Sequence, residues 1–199
     1  MVMDKIGSKV RLAMLASGRG TNVANFIEYF KLHDLIEVAL VVSDNPEAQV
    51  LKRSAKAKIP HVLVRRDQWA DPNLVLGLFR ENQIDFIVLA GFLFKVPDFL
   101  LDAFSNRVVN IHPALLPKYG GKGMYGMRVH EAVINHGEPE SGISIHYVNE
   151  FFDEGPVIFQ ARCPVLVDDT PESLALRVQK LEYQHYPKVV EELVLREVI

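Results

Sequence analysis

Residues 10–22 read VRLAMLASGRGTN. Val10 to Leu15 is an apolar run, interrupted only by Arg11, and reads as a strand. Ser17, Gly18, Arg19 and Gly20 make a turn, and Thr21 and Asn22 open a helical stretch that continues to about His33. Strand, glycine turn and helix in that order are the first step of a β-α-β unit. At such a turn the backbone can approach an anion closely, and the helix N-terminus presents free N–H groups and a positive dipole end. The G-x-G here lacks the third glycine of a dinucleotide fingerprint, and no Walker lysine follows it. From these residues alone, a phosphate cradle and a tight turn capped by Asn22 stand at even weight.

Working outward, the same rhythm repeats. Strands are predicted at Ile36–Val42, His61–Val64 and Ile84–Ala90, with helices at Glu47–Lys58, Asn73–Asn82 and Pro97–Phe104. The run at 84–90 is almost wholly apolar, as a central parallel strand should be. The next strand lies in RVVNIHPALLPKY at 107–119. After it the rhythm changes. KYGGKGMYGM at 118–127 carries four glycines and is too flexible for an element interior. A helix at Val129–His136, strands at Ile143–Val148 and 156–167, and a last helix from Pro171 complete the chain, with a break expected near Pro187. The pattern implies one α/β domain over 1–199. Its mostly parallel, Rossmann-like, doubly wound sheet carries helices on both faces. A phosphate-binding half is expected over about 9–105 and a catalytic half over about 106–199.

The segment at 107–119 also carries chemistry. Asn110 and His112 stand two positions apart, so both side chains leave one face of the strand. Pro113 ends the strand, and the carboxyl ends of strands in an open α/β sheet border the ligand crevice. An imidazolium and an amide N–H aimed at one spot can hold a developing oxyanion. A satisfied core histidine beside a turn asparagine is the plainer reading and has a slight edge on these residues alone. Asp153, in FFDEGPVI, follows the strand at 143–148. Most loop carboxylates are merely solvated, but one beside His112 would favour the charged imidazole. His146, with Ser144 on the same strand face, reads as a support. Glu182 reads as a solvated helix face, and Cys163 as inert.

Composition narrows the class. Of 199 residues 49% are hydrophobic, enough for one sizeable core. Lys plus Arg total 22 against 25 acidic residues, a net charge of -3 with no basic stripe, so a nucleic-acid partner is not expected. The single cysteine forbids an internal disulfide and fits a reducing compartment. The N-terminal apolar run is too short for a signal or a membrane span, so a soluble cytoplasmic protein is expected. No HExxH, no CxxC and no clustered histidines appear, so no metal is expected.

Taken in order, SGRGTN, VLAGFLFKVP at 88–97, NIHPALLPKY at 110–119 and SGISIHYVNEFFDEGPVI at 141–158 closely resemble the phosphoribosylglycinamide formyltransferase family, over nearly the whole chain. That resemblance implies transfer of a formyl group from 10-formyltetrahydrofolate, a co-substrate rather than a bound cofactor, to the amine of glycinamide ribonucleotide in purine synthesis. It implies no metal, small-molecule partners only, and a monomer or homodimer. By resemblance the catalytic residues are Asn110, His112 and Asp153, supported by His146. Gly20, Thr21 and Asn22 match the phosphate loop, and Gln179 and Glu182 the ribose contacts. Leu93, Phe94, Lys95 and Val96, with Asn149 and Glu150, match the folate-binding segments. The chain departs from the family where Phe94 replaces a frequent arginine and where loop 120–127 replaces a shorter, histidine-containing one. A formyltetrahydrofolate deformylase would share the centre but use water as acceptor, and relatives of that kind usually carry an extra N-terminal domain. Transfer to methionyl-tRNA would call for a tRNA-binding domain. A non-catalytic nucleotide-binding module would leave Asn110, His112 and Asp153 without a role.

Overall fold

The computed structural model describes residues 8–198; residues 1–7 and 199 of the expected domain lie outside the described residues. Seven strands form one sheet: β1 Val10–Leu15, β2 Ile36–Ser43, β3 His61–Leu63, β4 Phe86–Leu89, β5 Val108–His112, β6 Glu140–Tyr147 and β7 Val157–Pro164. The helices are α1 Thr21–Phe30, α2 Gln49–Lys56, α3 Pro72–Glu81, α4 Asp98–Ala103, α5 Met127–Asn135 and α6 Pro171–Val198. Strand order is β3-β2-β1-β4-β5-β6-β7. The first five strands pair in parallel, and β6 and β7 are added antiparallel. The expected α/β class and mostly parallel sheet are therefore present.

Two apolar layers cover the sheet. On one face Val23, Phe26 and Phe30 of α1 pack with Val133 of α5 and Val178, Tyr186 and Val190 of α6. On the other, Trp69, Val75, Phe79 and Leu100 pack against Leu15, Val42 and Ile87. Successive side chains of a strand point to opposite faces, which is why Leu12 and Met14 join the first layer while Ala13 and Leu15 join the second. The chain crosses from one face to the other between β1 and β4. The loops leaving those two strands therefore diverge and open a crevice at their carboxyl ends.

Several local expectations shift. Pro97 is the cap before α4 rather than its first residue, and β6 starts at Glu140, three residues earlier than alternation predicts. The break near Pro187 does not occur: α6 runs through it as one helix. A proline has no N–H for the carbonyl four residues back, here that of Tyr183. Asn25 of α1 supplies the missing donor, its Nδ2 donating to Tyr183 O at 3.0 Å. The helix start matches expectation, with Thr170 Oγ1 accepting from Ser173 N at 3.3 Å.

Candidate active site

The antiparallel register of β5 and β6 sets Asn110 opposite His146 and His112 opposite Ser144. Cross-strand partners on one face are in contact, and Asn110 Nδ2 lies 3.1 Å from His146 Nε2. Nδ1 of His146 donates to Tyr147 O at 2.8 Å, which leaves Nε2 facing Asn110. Asp153 comes back over this pair from the β6–β7 loop. Its Oδ1 accepts from Asn110 Nδ2 at 3.3 Å and lies 3.5 Å from His146 Nε2. Its Oδ2 accepts from Gly121 N at 3.0 Å and lies 3.4 Å from His112 Nδ1. Three of the four side chains expected at the centre, Asn110, His112 and His146, thus converge on the carboxylate of the fourth, Asp153. His112 and His146 are both buried.

The loop that delivers Asp153 is tightly wound. Asp153 itself is left-handed, with φ 58, a conformation aspartate tolerates better than most residues. Gly155 is required two residues on, because a Cβ there would stand 1.8 Å from Tyr147 O. Backbone strain of this kind gathers at sites that must hold a side chain in place.

The charges of the group oppose one another. Burial raises the Asp153 carboxyl, but its interactions with His146, His112 and the Gly121 N–H outweigh that and hold it below the ordinary carboxylate value. Burial pushes His112 down; Asp153 and the Tyr119 carbonyl pull it up without fully compensating. The expectation that Asp153 favours the charged imidazole is therefore met as one contribution, while desolvation sets the net direction. His112 Nε2 donates to Tyr119 O at 2.7 Å, a contact that only the folded loop reveals.

This centre lines a cleft of about 690 Å³ whose wall includes Gly20, Thr21, Asn22, Gln179 and Glu182 on one side. Leu93, Phe94, Lys95, Val96 and Asn149 belong to the same wall. Gly20 caps α1 with φ 70, and a Cβ on it would lie 2.4 Å from Val50 Cγ2, so the turn needs glycine. Asn22 Nδ2 donates to Glu182 Oε2 at 2.8 Å, and Gln179 Nε2 lies 3.5 Å from Thr21 Oγ1. Glu182 is therefore not a solvated helix face; burial pushes its carboxyl up. Phe92 and Phe94 pack at a tilt against Trp69, with ring centroids 5.3 and 6.1 Å away, so Phe94 adds an aromatic wall to the cleft. Lys95 is tied to Asp98 at 3.2 Å. Glu150 alone of the expected site residues is not part of the wall: it is exposed, while its neighbours Asn149 and Phe151 close a small turn through Asn149 Oδ1.

Sequence reasoning missed two features. Ser17 Oγ donates to Asp44 Oδ1 at 2.5 Å and accepts from Leu93 N at 2.9 Å, joining the glycine turn to the aromatic segment. Asp44 stands in the SDNP end of β2, where a polar residue reads only as turn chemistry. The other is the loop before α5 and the first turn of α5, which bring Lys122, Met124 and Tyr125, and Arg128 and His130, to the cleft. Among the described residues no group of three or more His, Cys, Asp or Glu side chains is arranged to hold a metal ion, and no helix is long and apolar enough to cross a membrane.

A family model described as formyl transferase matches residues 10–190. The chain belongs to the formyl transferase family. It is 33% identical over 186 residues to phosphoribosylglycinamide formyltransferase of Haemophilus influenzae, covering 90% of this chain and 85% of that one. It is 39% identical over 188 residues to the chloroplastic phosphoribosylglycinamide formyltransferase of Vigna unguiculata, covering 92% of this chain. The chain spans 60% of that plant protein and 64% of its Arabidopsis thaliana counterpart. Among solved structures, the phosphoribosylglycinamide formyltransferase of Bacillus halodurans superimposes with a TM-score of 0.83 at 35% identity, over 92% of this chain and 95% of that one.

Proposed function

We propose that this chain transfers the formyl group of 10-formyltetrahydrofolate to the primary amine of glycinamide ribonucleotide, in purine synthesis. Folate is a co-substrate that comes and goes. The scheme asks for no resident cofactor, no metal and no macromolecular partner, and a monomer or homodimer would serve it equally. The observation that carries the reading is the meeting of Asn110, His112 and His146 around the Asp153 carboxylate. That meeting lies in a cleft with a glycine turn on one side and an aromatic segment on the other.

The chemistry follows from the reaction. The amine nitrogen attacks the formamide carbonyl, a C–N bond forms, and the carbonyl oxygen becomes an oxyanion. The amide N–H of Asn110 and the protonated imidazole of His112 hold that oxygen. A donor of this kind is worth about 3–4 kcal/mol in the transition state. Collapse breaks the bond to the folate nitrogen, which takes up the proton the amine gives away. Asp153, through a water, relays that proton and, as the largest influence against burial, favours the charged form of His112. The turn at Gly20, Thr21 and Asn22 receives the phosphate, with Gln179 and Glu182 on the ribose. Leu93, Phe94, Lys95, Val96 and Asn149 receive the folate. Holding both substrates in line supplies much of the remaining acceleration.

The test is an absorbance assay with a 10-formylfolate, run with and without glycinamide ribonucleotide. Loss of formyl that depends on the acceptor is the expected result. Equal loss without acceptor would make the chain a hydrolase, and no loss in either case would remove the catalytic reading.

A further inference from the structure

Apart from the Gly121 N–H that holds Asp153, the segment leading into α5 has no part in the proposed chemistry, yet it forms a wall of the cleft. It carries two cations, Lys122 and Arg128, both exposed. Neither has a carboxylate partner among the described residues; the one contact of either is Arg128 stacked over the Tyr125 ring at 5.0 Å. Nearby cations differ: Lys95 is paired with Asp98 at 3.2 Å and Lys118 with Glu138 at 2.8 Å. With Arg19 of the glycine turn, also exposed and without a carboxylate partner among the described residues, three cations line one cleft and call for an anion.

Packing says which side of the cleft they serve. Val133 of α5 shares its apolar layer with Val23 of α1 and Val178 of α6. The glycine turn opens α1, and α6 carries Gln179 and Glu182. The aromatic segment with Trp69 belongs to the opposite layer. Arg128, in the first turn of α5, therefore stands on the side of the glycine turn. Two buried polar atoms of the cleft lack hydrogen-bond partners: Asn22 Oδ1 at the glycine turn, and Nδ1 of His130, which lies two residues beyond Arg128 and near His112. Both residues line the cleft and are more than nine-tenths buried. Glu182 faces the same space, so a phosphate at the glycine turn gains from side-chain cations beyond the backbone N–H groups and Arg19 of the turn itself.

We infer that Arg128 and Lys122 bind the phosphate monoester of the acceptor substrate, and that loop 120–127 thereby straps the ribonucleotide half of the cleft. Its assignment to the acceptor rests on the proposed function; its assignment to a sugar phosphate does not. A charge-assisted contact to phosphate predicts that Arg128→Gln raises KM for glycinamide ribonucleotide about ten- to a hundredfold. Lys122→Gln should raise it less, because an ammonium is a point charge without the guanidinium fork. KM for the formylfolate should stay as it was. With glycinamide riboside, which lacks the phosphate, the variants should lose no further ground to the parent protein. A rise in the folate KM instead, or an equal loss with the riboside, or no change with either substrate, overturns the inference. Calorimetric titration with ribose 5-phosphate separates this from the function itself. Weaker binding in Arg128→Gln supports the phosphate contact even if the parent protein transfers no formyl group, and equal binding in both refutes it even if transfer is efficient.

Discussion

Replacing Asp153 with asparagine tests the electrostatic core of the site. Asparagine tolerates the left-handed backbone that Asp153 adopts at φ 58, so the loop need not move. What is lost is the negative charge 3.4 Å from His112 Nδ1. In the parent protein, burial lowers the His112 pKa, and Asp153 is the largest influence acting against it. Without the carboxylate, desolvation acts with only the Tyr119 carbonyl to oppose it, and the imidazole loses its proton at lower pH. An opposite charge at this range shifts a pKa by about one to three units, which is about 1.4–4 kcal/mol. If turnover needs the imidazolium, the alkaline limb of kcat should move toward acid by about one to three pH units. Above that limb kcat should fall about ten- to a thousandfold. The assay is kcat against pH with both substrates saturating, and circular dichroism confirms that the variant is folded. An alkaline limb that stays in place, or that moves to higher pH, refutes the claim that Asp153 holds a proton on His112.

Three other outcomes are expected. Asn110→Ala should lower kcat about a hundred- to a thousandfold with KM values little changed; a loss confined to KM would make Asn110 a binding group. His130 is buried and its pKa is lowered to about 4, so as pH falls the unfolded chain takes up this proton first. Stability should drain away between about 6.5 and about 4, by up to about 3 kcal/mol, and urea midpoints of His130→Leu should lack that part of the decline. Tyr186 Oη, buried, donates to Leu89 O at 2.8 Å and lies 3.3 Å from Val109 O. Tyr186→Phe removes a buried donor from two carbonyls of the β4–β5 pair and should cost about 1 kcal/mol in urea denaturation; unaltered stability would mean the hydroxyl is idle.

How far the sequence discloses this molecule depends on the range of the interaction. The five parallel strands and their helices were legible because apolar period and turn residues are local properties. The pairing of Asn110 with His112 on one face was legible for the same reason. Their partners were not. Asp153 lies 43 residues from Asn110 along the chain, and only the register of β5 on β6 brings the two together. The pattern of residues marks it as a candidate whose plainer reading is a solvated loop carboxylate, and the resemblance to similar proteins raises it to the site. The continuous helix through Pro187 was misjudged because a proline reads as a break unless a remote donor is known, and Asn25 lies 158 residues from Tyr183. In the sequence Glu182 reads as solvated for a like reason: its helix spacing says nothing of Asn22.

The centre is also self-satisfied in a way that bears on how it works. Both nitrogens of His112 face acceptors, Tyr119 O and Asp153, and the Asn110 amide N–H groups are directed at His146 and Asp153. A carbonyl oxygen arriving in the cleft must therefore win a donor away from partners already in place. A neutral formamide oxygen is a weak competitor for a donor shared with a carboxylate, whereas a developing oxyanion is a strong one. The exchange of partners then favours the transition state over the bound substrate, and only such differential binding accelerates the chemical step. The same contacts hold Asn110 and His112 in fixed rotamers before substrate arrives, so little reorganisation is left for the moment of reaction. Loosening that frame from behind has a distinct signature. His146→Ala leaves Asn110 and Asp153 with one partner fewer and touches no reacting atom, so kcat should fall while both KM values hold. His146→Gln, which can still offer an acceptor to the Asn110 amide, should recover part of the loss. Equal kcat in the two variants would show that His146 supports the site by its volume and not by its hydrogen bond.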